Sequence, residues 1–167
     1  AGSSSTYGNA LAPGAVSFTN VIENDGVTAS ASVDTGATST SGNFVAGSYT
    51  QTAGTNLTGA DEANYSFDGF TTSEANYTIN KLDLTGAAIA SSSSTYGNAL
   101  APGAVSFTNV IENDGVTASA SVDTDTESTS GNPVAGSYTQ TAGSNLTGAD
   151  AANYSFAGFT TSEANYT

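Results

Sequence analysis

The sequence contains no cysteine, histidine, methionine or tryptophan, and Lys81 is its single basic residue. Without cysteine the chain has no disulfide framework, thiol nucleophile or iron-sulfur site, and without histidine it has no imidazole base or imidazole metal ligand. Fifteen acidic residues give a formal net charge of -14 at pH 7, which repels nucleic-acid phosphates and anionic lipid surfaces. These absences exclude serine-triad, cysteine-protease and histidine-dependent metalloenzyme chemistry, as well as nucleic-acid binding.

Large aliphatic side chains are also scarce. Leucine, isoleucine, valine and phenylalanine together make up 27 of 167 residues, whereas serine and threonine make up 50. Such a composition with high charge is typical of disorder, but eight tyrosines and seven phenylalanines oppose that interpretation. We therefore expect folded domains with small cores, rich in β-structure and filled mainly by tyrosine and phenylalanine. No apolar run approaches the roughly 18 residues that a membrane span needs, so we expect no membrane insertion.

An internal repeat determines the expected domain organisation. Displacing the sequence by 89 residues aligns Ser3–Thr78 with Ser92–Thr167, and 69 of these 76 positions are identical. This period is longer than the 20 to 50 residues typical of solenoid repeats, so each copy is predicted to be a small domain. We place a first β repeat module at residues 1–81 and a second at residues 82–167, in an elongated tandem array.

Within each copy, apolar residues recur every second position, which is the period of a β-strand. The alternation predicts about six short strands per copy, with at most one helical turn near residues 59–64. In the first copy, the predicted strands include residues 16–18, 27–33, 45–50, 65–67 and 74–81. The fold class is therefore all-β, with two small sandwiches of immunoglobulin-like shape. A β-grasp-like module is the alternative.

The join between the copies carries a change of strand parity. Tyr77 and Ile79 are apolar positions of one strand, but Leu82 and Leu84 take over after a shift of one residue. Such a shift predicts a bulge or a strand that leaves one domain for the next. We expect residues 82–90 to open the second domain, and the first copy has no counterpart of this segment in front of it. Unpaired strand edges are expected at both ends of the sequence.

Two segments resemble a known family. Ser-Thr-Tyr-Gly-Asn at residues 5–9 and Leu-Thr-Gly-Ala-Asp-Glu-Ala-Asn-Tyr at residues 57–65 recur at residues 94–98 and, with Ala151 in place of Glu, at 146–154. Both are similar to signatures of MBG and YDG repeat modules, which form long arrays in large bacterial surface adhesins of the filamentous-haemagglutinin and biofilm type. The resemblance implies structural stalk repeats on the bacterial cell surface, which contact neighbouring repeats of the same chain. It supplies no catalytic residues.

Calcium is the one cofactor that the composition favours, because the chain is rich in hard oxygen ligands. Asp123, Asp125 and Glu127 alternate, so on a strand all three would lie on one face about 6 to 7 Å apart. The first copy offers only Asp34 at the corresponding positions, so this candidate metal site belongs to the second copy alone.

Other functional interpretations have less support. Asp34-Thr35-Gly36 matches the aspartic-protease tripeptide, but the second copy has Asp125 in place of the glycine, so the paired motif is lost. Rows of exposed serine and threonine suggest an adhesive module that binds a glycan or a homotypic partner. The sequence therefore predicts a non-enzymatic, extracellular stalk repeat, with the adhesive module as the alternative.

Overall fold

The computed structural model describes residues 2–167, which divide into two compact units. Unit 1 ends at Lys81 and unit 2 spans Leu82–Thr167. Both units are built from short β-strands, and the chain is all-β. Each unit contains a single turn of 3-10 helix, at Glu62–Asn64 and at Ala151–Asn153.

Unit 1 contains six strands in two three-stranded sheets. They are β1 (Ser3–Thr6), β2 (Thr28–Val33), β3 (Gly47–Tyr49), β4 (Gln51–Thr58), β5 (Phe70–Thr71) and β6 (Tyr77–Asn80). In the first sheet, β6 lies between β1, which runs parallel to it, and β3, which runs antiparallel. In the second sheet, β4 pairs antiparallel with both β2 and β5.

Unit 2 repeats the second of these sheets and adds two short strand pairs. Its strands are β7 (Leu82–Asp83), β8 (Ala88–Ile89), β9 (Val105–Ser106), β10 (Thr117–Val122), β11 (Gln140–Thr147), β12 (Tyr154–Ser155) and β13 (Phe159–Thr160). β11 pairs antiparallel with β10 and β13, β7 runs parallel to β12, and β8 runs antiparallel to β9.

Tyrosine and a few aliphatic side chains form the two cores. The buried apolar residues of unit 1 are Tyr7, Val33, Ala53, Tyr77 and Ile79, and those of unit 2 are Leu84, Ile89, Ala142, Tyr154 and Tyr166. In unit 1, Phe18 and Phe67 add an edge-to-face ring pair with centroids 5.1 Å apart, a favourable aromatic geometry. Tyrosine therefore fills space that valine and leucine fill in an ordinary small domain.

The structure differs from the expected strands at two kinds of position. β4 and its counterpart β11 are the longest strands of the two units, yet the alternation did not predict β4. Gln51 and Thr55 share the parity of Ala53 and Leu57, so only two of the four positions on that face are apolar. Conversely, residues 16–18 and 65–67 of unit 1 form no strand, although their counterparts in unit 2 contribute β9 and β12. The sequences of these segments are identical in the two units, so the difference arises from their surroundings.

No helix within residues 2–167 has the length and apolar character needed to cross a membrane.

Candidate functional site

The acidic segment of unit 2 lies beyond the end of a strand. β10 ends at Val122, so Asp123 and Asp125 fall in irregular chain, and Glu127 makes an isolated antiparallel bridge with Pro133. The regular strand that would place all three carboxylates on one face is therefore absent from this segment. Across the described residues, no three acidic side chains are grouped so that they could hold a metal ion. Calcium at Asp123, Asp125 and Glu127 stays a prediction.

The carboxylate of Asp123 takes part in a hydroxyl cluster. Its Oδ2 accepts hydrogen bonds from Thr139 at 2.8 Å and from Thr141 at 2.9 Å. Asp34 of unit 1 has the same arrangement with Thr50 and Thr52. The same two bonds recur in both units. We therefore infer that they stabilise the position of the chain where it leaves β2 in unit 1 and β10 in unit 2.

Threonine side chains also pair across neighbouring strands. The hydroxyls of Thr28 and Thr58 lie 2.8 Å apart, as do those of Thr52 and Thr71. The same pairs recur in unit 2. Cross-strand hydroxyl pairs of this kind contribute to sheet stability. The threonines of these four pairs are thus already hydrogen-bonded to each other.

A buried glutamine holds several chain segments together in each unit. Gln140 is fully buried, and its Oε1 accepts the Gly103 N–H at 2.6 Å while its Nε2 donates to Asn165 Oδ1 at 2.8 Å. Gln51 makes the corresponding bonds in unit 1. A buried amide is tolerated because its donors and acceptor are satisfied. The burial of Gln51 and Gln140 was not predicted from the sequence, since their partners are distant in sequence and the local pattern does not mark a polar residue as buried.

Tyrosine hydroxyls hold the long loops of unit 1 in place through hydrogen bonds to the loop backbone. Ala12 N–H donates to the Tyr77 hydroxyl at 2.9 Å, and Ile22 N–H donates to the Tyr65 hydroxyl, which in turn donates to Asp25 Oδ2 at 2.7 Å. The Ile22 N–H lowers the pKa of Tyr65, but the hydrogen bond to Asp25, partial burial, and the negative charges of Asp25 and Asp61 together raise the pKa above its ordinary value. These contacts anchor two loops that have almost no regular secondary structure.

The corresponding tyrosines of the two units differ in burial at one position. Tyr7 is fully buried, whereas Tyr96 is 54% exposed. Both donate to serine hydroxyls, Tyr7 to Ser39 and Tyr96 to Ser128. The Ser128 hydroxyl, and after it that of Ser130, lowers the pKa of Tyr96 below its ordinary value, because a serine hydroxyl rotates to donate to the phenolate once the Tyr96 proton is lost.

One concavity of unit 1, beside β4, is a groove rather than an enclosed pocket. Its cavity volume is about 150 Å³, and its lining includes Val16, Ala31, Gln51, Ala53, Phe70 and Asn76. None of these side chains is acidic or basic, so the groove does not present two converging carboxylates. Its chemistry suits an apolar or backbone ligand.

No family model, curated protein or solved structure matches this chain.

Proposed function

We propose that the two units are structural stalk repeats of a large secreted or cell-surface bacterial adhesin, which hold a distal binding region away from the cell. The observation that carries the proposal is the duplication, because two units with 69 of 76 aligned residues identical each contain their own buried core. A protein whose role is spacing gains length with each added unit. The resemblance to MBG and YDG modules points the same way.

The hydrogen-bond pattern supports a structural role for each unit. The glutamine, threonine and aspartate bonds recur in both copies at nearly the same lengths. Backbone N–H groups of the long loops donate hydrogen bonds to the hydroxyls of tyrosines that lie in strands. Such bonds stabilise loops that bury little apolar surface. The net charge of -14 keeps neighbouring molecules soluble and apart in the extracellular setting that we propose.

For the fold of each unit we propose a small β-sandwich of immunoglobulin-like shape. Support comes from unit 1, where β1-β6-β3 and β2-β4-β5 are two separate three-stranded sheets. The β-grasp alternative requires a helix packed on a sheet, and the helical structure within residues 2–167 is limited to two single turns.

The spacing function is tested by varying the number of copies of this chain between a cell anchor and a terminal binding tag. Super-resolution microscopy would measure the distance from the cell surface to the tag. We expect the distance to increase by a constant step with each inserted copy. A distance that does not change with copy number contradicts the proposal. Binding of the isolated chain to a glycan array would instead support the adhesive alternative.

A further inference from the structure

The chain contains six Asn-x-Ser/Thr sequons, three in each unit, and the structure distinguishes between them. This sequon is the acceptor sequence for N-linked glycosylation, in which the side-chain nitrogen of asparagine receives a sugar. A sugar is bulky and strongly hydrated, so the folded protein carries one only where the asparagine is exposed. The asparagines are Asn56, Asn64 and Asn76 in unit 1 and, at the equivalent positions of unit 2, Asn145, Asn153 and Asn165.

The first of the three sequons is exposed in both units. Asn56 and Thr58 are exposed in unit 1, and so are Asn145 and Thr147 in unit 2. The leucine between asparagine and threonine is half-buried in each case. Since neighbouring residues of a strand point to opposite faces, the leucine attaches the sequon to the sheet while the other two side chains face solvent.

A β-bulge interrupts the strand pairing directly before this sequon leaves the sheet. Between two successive paired positions of unit 1, β2 contributes only Ser30, whereas β4 contributes residues 54–56. Unit 2 has the same bulge at residues 143–145. A Cβ added at Gly54 or Gly143 would meet no atom within 4 Å, so there is open space beside the bulge. Bulges redirect side chains relative to the sheet, and this one ends on the asparagine of the sequon.

The second sequon is closed in unit 2. Asn153 is only 4% exposed. The hydroxyl of Ser155, the third residue of the same sequon, donates a hydrogen bond to Asp83 Oδ1. A modification that occurs in both units therefore cannot use this position.

The third sequon is held inside the hydrogen-bond network of the buried glutamines. Asn165 Nδ2, the atom that would receive the sugar, donates to Ile89 O at 2.9 Å, and Asn165 Oδ1 accepts from Gln140 Nε2 at 2.8 Å. In unit 1, Asn76 Oδ1 accepts from buried Gln51 Nε2 at 2.8 Å. A sugar at this position would disrupt the packing around a buried amide, which is costly.

We propose that Asn56 and Asn145 are N-glycosylation sites, which place one sugar on each unit at an interval of 89 residues. A glycosyltransferase of the producing cell supplies a sugar activated as its diphosphate. The asparagine Nδ2 forms a bond to the anomeric carbon of the sugar while the bond from that carbon to the diphosphate oxygen breaks. The diphosphate leaves with the electron pair, and Nδ2 releases one proton to solvent.

The proposal goes beyond the stalk role and does not depend on it. A repeat spaces a distal region with or without a sugar, so the distance measurement described above gives the same result in either case. Failure of the glycosylation experiment would therefore leave the spacing function standing, and the reverse also holds.

The threonine of the sequon allows a matched pair of variants. Thr58 Oγ1 and Thr28 Oγ1 lie 2.8 Å apart, so Thr58→Val and Thr28→Val remove the same hydrogen bond. Thr58→Val destroys the sequon, whereas Thr28→Val leaves it intact. We expect Thr58→Val to lower glycosylation of Asn56 by a factor of about ten or more, and Thr28→Val to leave it within about twofold of wild type. Asn145 is the internal reference in both variants.

The test incubates the folded full chain with a soluble asparagine glycosyltransferase and UDP-glucose, followed by proteolysis and mass spectrometry. Peptides with the first sequon of each unit differ in mass, because Ser144 replaces Thr55. We expect one hexose at Asn56 and one at Asn145, with Asn153 and Asn165 unmodified. Synthetic peptides of the three sequons are the control for the sequence preference of the enzyme, and we expect all three to be modified.

Two outcomes of this experiment would overturn the proposal. One is a folded chain that stays unmodified at both exposed sites although the peptide of that sequon is modified. The other is modification of Asn153 or Asn165 to the same extent as Asn145. A second measurement asks whether the producing cell uses the sites: mass spectrometry of the chain isolated from that cell should show a sugar on Asn56 and Asn145, and unmodified asparagine at both would equally overturn the proposal.

Discussion

Truncation of Ile89 tests how strongly residues 82–89 are built into unit 2. Ile89 lies in β8, opposite Val105, and only 6% of it is exposed. Its carbonyl oxygen accepts a hydrogen bond from Asn165 Nδ2, which holds the backbone in place when the side chain is shortened. Ile89→Ala therefore removes apolar contacts and leaves the strand pairing intact.

The expected cost follows from the buried groups that are lost. The substitution removes three carbon atoms, worth about 0.8 kcal/mol each on transfer to water. The cavity that remains adds to this cost, because the surrounding strands relax only in part. We expect Ile89→Ala to destabilise unit 2 by about 2.5 to 4 kcal/mol. For a domain of this size, that corresponds to a fall in Tm of roughly 10 to 30 °C.

Hydrogen exchange measured by mass spectrometry assigns the effect to one unit. Peptides from Gln51–Thr58 and Gln140–Thr147 differ in mass, because Ser144 replaces Thr55. We expect Ile89→Ala to speed exchange in the second peptide and to leave the first unchanged.

Ile22→Ala is the matched control, because Ile22 is 69% exposed. Its cost should stay within about 0.5 kcal/mol. If Ile89→Ala cost no more than Ile22→Ala, residues 82–89 would not be an integral part of unit 2.

Three further predictions concern backbone packing, pH and calcium. Gly103→Ala should destabilise unit 2 by about 3 kcal/mol, because the added Cβ would lie 1.8 Å from Ala90 O. Gly143→Ala meets no atom within 4 Å, so it should change the free energy of unfolding, measured by chemical denaturation, by less than about 1 kcal/mol. Equal effects of the two substitutions would contradict the packing. Since the folded chain keeps the Tyr65 proton at pH values where the unfolded chain has lost it, the stability contribution of this hydroxyl is present below about pH 10 and is lost as pH rises through the raised pKa. An ultraviolet titration of wild type against Tyr65→Phe should show that the lost phenol ionises above the ordinary value, and ionisation at or below it would refute the assigned contacts. The calcium prediction requires millimolar calcium to raise the Tm of unit 2 alone, with the rise abolished by Asp125→Asn, and a melt unchanged by calcium would reject it.

The local alternation of apolar residues was enough to predict part of the fold. Residues 27–33 alternate without interruption and form β2, and the helical turn expected within residues 59–64 is present at Glu62–Asn64. These features depend on residues that are close together in the sequence, so the sequence alone is enough to predict them. The all-β class follows from the same pattern, and the structure confirms it.

Features that depend on distant partners were not predictable in this way. Gln51 is buried because its amide is satisfied by Gly14 and Asn76, which are far from it in sequence. β9 and β12 form where residues 82–89 supply a partner strand. The alternation marks which residues can form a strand, but pairing decides whether they do.

The most direct test of the central claim, that the chain consists of two self-contained structural repeats, is single-molecule extension of the full chain between its ends. The account predicts two separate unfolding steps, each releasing about 25 to 30 nm of contour length for a unit of about 80 residues. Ile89→Ala should lower the force of one step only. A single step of about twice that length, or a gradual extension without steps, would contradict the claim.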